Sequence, residues 1–247
     1  MSSSIPKIIF QTWKTKDIPE KWKESQLSIK EHLPDWQIVL FSDEENREFV
    51  KQHFPDFLNI YDSFPYPIQR ADMIRYMFLY VNGGLYLDLD MKLKKSIESL
   101  IGNEEFYLSP SSNVSSSYTN SIMISKPKSK FWLMVLDEIK KTQMNKNYYF
   151  TKHFIVMNTT GPMLLTRTLK KWDKSFGTLP VKKILPCNVC DPNCNENDVY
   201  IQQLEGQSWC SVDTKFYNFF ICRWKLLIML FIILLCVGFI LYDIRNL

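Results

Sequence analysis

Residues 69 to 90 read QRADMIRYMFLYVNGGLYLDLD, and this stretch decides the fold. Residues 69–82 are mostly apolar and predict a helix. The pair Gly83-Gly84 predicts the end of that helix, because glycine tolerates the positive φ of a helix C-cap. Residues 85–89 predict a short buried strand ending in Asp88-Leu89-Asp90. Since side chains alternate along a strand, both carboxylates are expected on one side of it.

These two carboxylates predict a metal site. Close carboxylates repel each other unless a cation lies between them, and hard oxygen ligands suit Mg²⁺ or Mn²⁺, which commonly bridge a diphosphate. Asp88 and Asp90 are therefore the predicted metal ligands. Asp72 and Arg75 share one face of the preceding apolar helix, and they form either a buried ion pair or part of the same site.

Strand and helix patterns alternate around this stretch, which predicts one α/β domain with an open, mostly parallel sheet flanked by helices. Strands are predicted at residues 5–13, 36–41, 85–89, 105–109, 121–125 and 181–185. Helices are predicted at residues 19–33, 69–82, 130–142 and 161–172, and from a capping box at 42–45 toward residue 53.

The composite Ala71-Asp72-x-x-Arg75-Tyr76, then Gly83-Gly84-x-Tyr86-x-Asp88-x-Asp90, resembles the DXD-containing glycosyltransferases of family 32. That family holds the yeast initiating α-1,6-mannosyltransferases, the inositol-phosphoceramide mannosyltransferases, and α-1,4-N-acetylglucosaminyl- and galactosyltransferases. The resemblance extends over roughly residues 5–209 and implies a GT-A-like nucleotide-sugar-binding domain in residues 1–213. Further matching segments are Ile5–Trp13, Asn120 with Lys126-Pro127, Thr160-Gly161-Pro162, and Ser208-Trp209.

The resemblance implies metal-dependent transfer of a hexose, with mannose first, from GDP-mannose or a UDP-hexose to a glycolipid or glycan acceptor. It also implies retention of anomeric configuration, with Mn²⁺ or Mg²⁺ neutralising the diphosphate leaving group. The catalytic residues it implies are Asp72, Arg75, Asp88 and Asp90. The donor-binding residues it implies are Gln11, Thr12, Trp13, Asp72, Arg75, Tyr76, Gly83, Gly84, Tyr86, Asp88, Asn120, Ser208 and Trp209.

One departure from the family leaves two alternatives open. Relatives carry a histidine shortly before the Ser-Trp block, where this chain has Gln202-Gln203, and glutamine is a poorer metal ligand than imidazole. The alternatives are a catalytically inactive nucleotide-sugar-binding membrane protein and a UDP-hexose (galactose or N-acetylglucosamine) transferase of the same fold. The histidines of this chain, including His153, are predicted to be ordinary surface or core residues.

Residues 226–242, LLIMLFIILLCVGFILY, predict a single transmembrane helix near the C-terminus. A linker at residues 214–225 and a short tail at 243–247 flank it, with Trp224 between two basic residues as an interfacial anchor. A helix so late in the chain favours a cytosolic catalytic domain, with a Golgi or ER lumen as the alternative. The net charge of +4 is too small to predict a nucleic-acid partner.

The cysteines leave three possibilities open. Cys187, Cys190, Cys194 and Cys210 could bind zinc, form disulfides or remain free thiols. Cys222, beside the apolar segment, is a candidate for palmitoylation.

Overall fold

The computed structural model describes residues 4–113, 116–144, 150–191, 193–194, 196–206 and 209–245. The strands are β1 (Ile8–Thr12), β2 (Gln37–Phe41), β3 (Gly84–Leu87), β4 (Met91–Leu93), β5 (Phe106–Pro110), β6 (Tyr118–Ser125), β7 (Gly177–Thr178) and β8 (Ile201–Gln203). The helices are α1 (Lys23–His32), α2 (Asp43–His53), α3 (Leu58–Asp62), α4 (Pro67–Asn82), α5 (Lys130–Met144), α6 (Lys152–Thr159), α7 (Pro162–Leu169), α8 (Val181–Ile184) and α9 (Val212–Arg245).

The main sheet has the strand order β2-β1-β3-β6-β5-β7. Strand β1 pairs in parallel with β2 and β3, and β7 pairs in parallel with β5. Strand β6 is antiparallel to both β3 and β5, so it alone among these six opposes the others. The predicted mostly parallel sheet flanked by helices is confirmed. A separate two-stranded sheet joins β4 to β8.

Helix α4 lies in the core because it is apolar on nearly every face. Met73, Met77 and Leu79 are fully buried, and the ring of Phe78 stacks on Phe10 of β1 with 4.0 Å between centroids. Burying large apolar side chains in this way supplies most of the driving force for folding. The helix of the opening stretch is therefore the element on which the sheet packs.

Two glycines turn the chain sharply from α4 into β3. Gly83 caps the helix at φ 68°, as predicted, and Gly84 follows at φ 92°. A Cβ on Gly83 would lie 2.7 Å from the Pro127 nitrogen, and a Cβ on Gly84 would overlap the carbonyl oxygen of Ile8. Both positions need glycine for backbone geometry and for close packing between strands.

Two local predictions had opposite outcomes. The capping box at the start of α2 is confirmed: the Ser42 side chain accepts from the Glu45 amide, and the Glu45 carboxylate accepts from the Ser42 amide. The predicted strand at residues 181–185 is wrong, because these residues form the short helix α8 after Pro180. Five residues are too few to separate a period of 2 from a period of 3.6.

Helix α9 is continuous from Val212 to Arg245, so the predicted linker at residues 214–225 is helical. Residues Val212–Val237 have a mean hydropathy of 2.5, and by length and composition this helix is able to cross a membrane. Where the structure describes their side chains, apolar residues such as Leu226, Ile233 and Leu234 are exposed rather than packed on the domain.

The cysteines form two disulfides, Cys187–Cys194 and Cys190–Cys222. The disulfide possibility is therefore correct for three of the four cysteines considered as zinc ligands, while Cys210 is free. The suggestion that Cys222 is palmitoylated is wrong, because its sulfur is bonded to Cys190. This second bond fastens the loop at residues 187–191 to helix α9.

Candidate active site

A cavity of about 470 Å³ opens at one edge of the main sheet. Strands β1, β3 and β5 all end there, and the antiparallel β6 begins there. The cavity wall therefore collects residues that follow β1 (Thr12, Trp13), follow β3 (Asp88–Met91), follow β5 (Ser111–Asn113) and start β6 (Thr119–Ser121). Its volume is in the range of small-ligand sites, and open α/β sheets bind ligands at this edge.

Asp88-Leu89-Asp90 forms a turn rather than the end of a strand. Strand β3 stops at Leu87, and the Met91 amide donates to the Asp88 carbonyl at 3.1 Å. The Asp88 amide donates to the Ser121 carbonyl at 2.8 Å, and the Leu204 amide donates to the Asp90 carbonyl at 2.7 Å. The alternation argument for the two carboxylates was thus wrong, yet both of them line the cavity.

A buried network connects α4 to this turn. Arg75 donates through Nη1 to Asp88 Oδ1 at 3.1 Å and to the Asn120 carbonyl at 2.8 Å. Its Nη2 lies 3.3 Å from Asp72 Oδ1, and its Nε donates to the Ala71 carbonyl at 3.0 Å. The guanidinium also lies over the Tyr86 ring, 4.4 Å from its centroid, while the Tyr86 hydroxyl donates to Asp88. Arg75 thereby fixes the orientation of the Asp88 carboxylate.

Asp72 is 4% exposed and its oxygens are occupied by protein donors. The Asn120 side-chain amide donates to Oδ1 at 2.9 Å, and the Thr160 hydroxyl donates to Oδ2 at 2.9 Å. Burial raises the pKa of Asp72 to about 6, although Arg75, Thr160 and Asn120 each favour the charged form. Burial also raises the pKa of Asp88, against the opposing effects of Arg75 and Tyr86.

The pKa of Asp90 is raised to about 7, first by burial and then by the neighbouring charge of Asp88. This carboxylate has less support than Asp88: a hydrogen bond with Gln203 and a backbone hydrogen bond favour its charged form, and Arg75 acts only weakly. Gln203 reaches it because β8 pairs with β4, opposite Met91. The glutamine that replaces the family's histidine thus lies beside the second carboxylate of the motif.

The two carboxylates fit a divalent cation, since each is held ionised only against a cost that such a cation would remove. Among the described residues, no three His, Cys, Asp or Glu side chains form a cluster able to hold a metal ion. Mg²⁺ and Mn²⁺ sites that act on diphosphates often have one or two carboxylates and complete their shell with phosphate and water. Asp88 and Asp90 would hold the ion in this way.

Gly206 makes room for the Asp90 side chain, because a Cβ at residue 206 would overlap Asp90 Oδ2. We expect Gly206→Ala to push this carboxylate aside and to weaken Mn²⁺ binding in the presence of a nucleoside diphosphate by roughly 10- to 100-fold. Isothermal titration measures the effect. Gly102→Ala is the matched control, since a Cβ there meets only the Tyr107 hydroxyl, at 3.2 Å. Equal Mn²⁺ affinity in both variants would contradict this role of Gly206.

Aromatic side chains form the wall on the β1 side. The rings of Trp13 and Trp22 meet edge to face with 4.7 Å between centroids, and Thr12 lies beside them. The Trp22 indole donates to the Glu205 carbonyl at 2.7 Å, which holds the segment before Gly206 against this wall. Flat aromatic faces of this kind are suited to packing against a nucleobase or a sugar ring.

The structure brings together most of the predicted site residues. Those that line the cavity are Thr12, Trp13, Asp72, Arg75, Tyr86, Asp88, Asp90, Asn120 and Trp209. Ser208 lies outside the described residues. Four predicted donor-binding residues are not in the wall and need correction: Gln11, Tyr76, Gly83 and Gly84.

These four residues act in packing. Gln11 is fully buried and donates to the Ser25 hydroxyl. The Tyr76 hydroxyl accepts from Asn120 and donates to the Thr160 carbonyl, behind the cavity wall. Gly83 and Gly84 face Pro127 and Ile8, so no ligand approaches their backbone.

Sequence reasoning missed several residues of the wall, among them Trp22, His153, Glu196, Gln203 and Asn218. His153, predicted to be ordinary, packs its ring 4.7 Å from that of Tyr217 and lies 3.2 Å from the Thr214 hydroxyl. Burial lowers its pKa. The signal for Gln203 was present as the position of the missing family histidine, whereas nothing local pointed to the other four.

Comparison with known families gives a match between residues 19–107 and the model of the glycosyltransferase sugar-binding region containing a DXD motif. That interval includes α4, β3 and the Asp88–Asp90 turn.

Two relatives align with nearly the whole chain. Inositol phosphoceramide mannosyltransferase 3 of Schizosaccharomyces pombe is 35% identical over 91% of this chain, which spans only 61% of that relative's length. The uncharacterized glycosyltransferase L373 of Acanthamoeba polyphaga mimivirus is 30% identical, with 83% of this chain and 84% of the relative covered.

Among solved structures, the PaToxG glycosyltransferase matches with a TM-score of 0.50 and 18% identity, covering 68% of each chain. At this identity the likeness concerns the fold alone. It agrees with the GT-A-like fold implied by the sequence resemblance.

Proposed function

Because this chain belongs to the family of glycosyltransferases whose sugar-binding region contains a DXD motif, we propose that it transfers a hexose from a nucleotide sugar to a glycolipid. Mannose is the first choice of sugar and GDP-mannose the first choice of donor, since the yeast relative is named an inositol phosphoceramide mannosyltransferase. A glycan acceptor and a UDP-hexose donor are the alternatives within the same fold.

One observation carries the proposal: Asp88 and Asp90 lie in a cavity at the carboxyl edge of the parallel strands, with Arg75 buried directly behind Asp88. A divalent ion bound there would neutralise the charge that develops on the leaving diphosphate. Arg75 and Tyr86 hold the Asp88 carboxylate in place, and Gln203 and Gly206 do so for Asp90. The tryptophans of the opposite wall would orient the donor and exclude water from it.

Asp72 has a positioning role in this proposal, in place of the contact with a sugar hydroxyl that the resemblance implied. Its oxygens already accept from Asn120 and Thr160 and face Arg75. The carboxylates of the cavity wall are Asp72, Asp88, Asp90 and Glu196. The first three belong to one network, and Glu196 is hydrogen-bonded with Gln202. No wall carboxylate is thus poised as a nucleophile, so retention is proposed to follow a front-face route in which the acceptor attacks as the diphosphate leaves.

A donor screen with Mn²⁺ tests this function. The full chain in detergent micelles is incubated with GDP-mannose, UDP-galactose or UDP-N-acetylglucosamine, with and without inositol phosphoceramide. We expect release of GDP from GDP-mannose, stimulated by the lipid and abolished by EDTA. An α-linked product would support retention. Binding of GDP and Mn²⁺ without any release from these donors would instead favour the inactive binding protein, the possibility raised by Gln203.

We further propose that the catalytic domain faces an oxidising lumen, such as that of the ER or Golgi. The cytosol keeps thiols reduced, so the disulfides Cys187–Cys194 and Cys190–Cys222 disagree with the cytosolic expectation. Cys222 lies on the domain side of residues 226–242, which places both disulfides on that side of the membrane.

Sealed microsomes provide the measurement of sidedness. We expect the domain to resist added protease until detergent opens the vesicles, and to carry a glycan on Asn113, which is exposed in a sequon. Asn113→Gln is the control for the glycan. Digestion of the domain in intact vesicles would show that it faces the cytosol.

A further inference from the structure

We propose that residues 187–191 and the first two turns of α9 form the acceptor subsite of the cavity. Residues 187–191 are called the acceptor loop below, and the disulfide Cys190–Cys222 joins the loop to the helix. The ligand is the hydroxyl-rich headgroup of a membrane lipid. This inference rests on the proposed function and adds to it the side from which the acceptor enters.

The first observation is that the loop and the helix share the cavity of the two motif carboxylates. Asn188 and Val189 of the loop line the same space as Asp88 and Asp90, and so do Thr214 and Asn218 of α9. A membrane-directed helix is therefore part of the wall of the reaction cavity.

The acceptor loop is fixed to the rest of the wall by several bonds. The Ser112 hydroxyl donates to the Cys187 carbonyl at 2.6 Å, and the Asn188 side-chain amide donates to the Ser112 carbonyl at 2.7 Å. The Val189 amide donates to Asn113 Oδ1 at 2.6 Å. Together with the two disulfides, these contacts hold the loop between the end of β5 and helix α9.

The start of α9 is fixed to the domain as firmly. The His153 amide donates to Asp213 Oδ2 at 2.7 Å, and the Lys152 ammonium donates to the Trp209 carbonyl at 2.6 Å. Asn218 is held by this base at the cavity, where its side chain is part of the wall.

Helix geometry puts this wall at the membrane surface. Asn218 precedes Leu226 by eight residues, which at about 1.5 Å per residue is roughly 12 Å along the helix axis. Headgroups occupy about 5–8 Å on each side of the hydrocarbon core. Exposed Phe216, Phe219, Phe220 and Trp224 lie on the same stretch, as expected of residues at an interface. A lipid in the outer part of that leaflet can thus present its headgroup to Asn218 while its chains remain in the bilayer.

The chemistry of the subsite favours a polyol headgroup over an apolar group. Amide side chains at residues 188 and 218 and hydroxyls at residues 112 and 214 contribute donors and acceptors to this side of the cavity. Such groups recognise hydroxyls by hydrogen bonds, and binding sites built this way lose affinity when one partner is removed.

The test uses the full chain in phosphatidylcholine vesicles containing inositol phosphoceramide as the probe lipid. We expect Asn218→Ala to raise the KM for the lipid about tenfold, as loss of one hydrogen bond does, with unchanged GDP-mannose KM and unchanged nucleotide release without acceptor. The double variant Cys190→Ser/Cys222→Ser should also raise the lipid KM. Lys215→Ala, exposed on the same helix, is the matched control.

Unchanged lipid KM in Asn218→Ala would overturn the subsite. A wild type that releases no nucleotide would instead refute the proposed function, and amide hydrogen exchange then decides the subsite independently. We expect residues 187–191 to be protected by vesicles containing the probe lipid and not by phosphatidylcholine alone. Equal exchange in both vesicles would also overturn the inference.

Discussion

Replacement of Asp90 by asparagine is expected to lower metal-dependent transfer by at least about 100-fold, because a divalent ion supplies several kcal/mol of stabilisation to a leaving group. Asparagine keeps the size of the side chain and its contact with Gln203, yet it removes the charge that would bind the ion. Without metal, the same change should leave the fold as stable as wild type at neutral pH, or more so. A catalytic carboxylate that is costly to bury has this combination of effects.

The sign of the pH dependence follows from the raised pKa. In the metal-free fold the pKa of Asp90 is about 7, against an ordinary value of 3.8. Between these values the folded state binds more protons than the unfolded chain, so the free energy of unfolding falls as pH rises. Part of this fall should be absent in Asp90→Asn. Conversely, Mn²⁺ affinity of wild type should increase with pH up to about 7, because the bound carboxylate must lose its proton.

Thermal unfolding with and without Mn²⁺ and GDP, from pH 5 to pH 8, measures both effects. Wild type should be stabilised by the ligands and Asp90→Asn should not. Asp35→Asn is the control, since Asp35 is 81% exposed and only 3.8 Å from Lys7. Ligand-induced stabilisation of equal size in Asp90→Asn would remove Asp90 from the metal site.

The sequence was informative where structure is set locally. The Gly83 cap, the helix that carries Asp72 and Arg75, and the capping box at Ser42 depend on residues a few positions apart. The family resemblance then identified nine residues that line the cavity. These features were accessible because helix ends and one-face pairs have short-range signatures.

The failures involve partners distant in the chain. Asp88-Leu89-Asp90 looks like a strand by its alternation, but β3 ends at Leu87, and the turn that follows is held by Ser121 and Leu204. Gly206 meets Asp90 across a similar distance in sequence. The disulfide pairing was equally inaccessible, because cysteine spacing alone does not determine connectivity. Long-range packing therefore decided the parts of the site that sequence patterns missed.

Replacement of Arg75 by methionine is expected to destabilise the fold by about 3–5 kcal/mol, because it leaves buried carboxylates without their counter-charge. Arg75 is 4% exposed and faces both Asp72 and Asp88. Methionine fills a similar volume but makes none of the guanidinium's hydrogen bonds. Transfer should be lost as well, since the Asp88 carboxylate would lose the group that orients it. Arg75→Lys should rescue only part of either effect, because a lysine cannot make the forked contacts of arginine.

Chemical unfolding of the full chain in detergent micelles measures this loss, and Arg47→Met is the matched control. Arg47 makes a two-point ion pair with Asp62, at 2.9 and 2.8 Å, but both side chains are largely exposed. Surface pairs of this kind contribute at most about 1 kcal/mol. A loss in Arg75→Met no larger than in Arg47→Met would contradict the role of the buried guanidinium.

Acid should reduce the defect of Arg75→Met. Without the guanidinium, the pKa of Asp72 should rise beyond its already raised value of about 6, and that of Asp88 should rise with it. Both carboxyls would then be neutral in the folded variant at pH 5, so the cost of burying their charge disappears, whereas it is complete above their folded pKa values. The difference in unfolding free energy between wild type and Arg75→Met should therefore shrink as pH falls from 8 to 5. The second variant Asp72→Asn/Arg75→Met should recover part of the stability at pH 8, because one of the two uncompensated charges is removed. A defect that is independent of pH and of Asp72 would mean that Arg75 acts through packing volume rather than through charge.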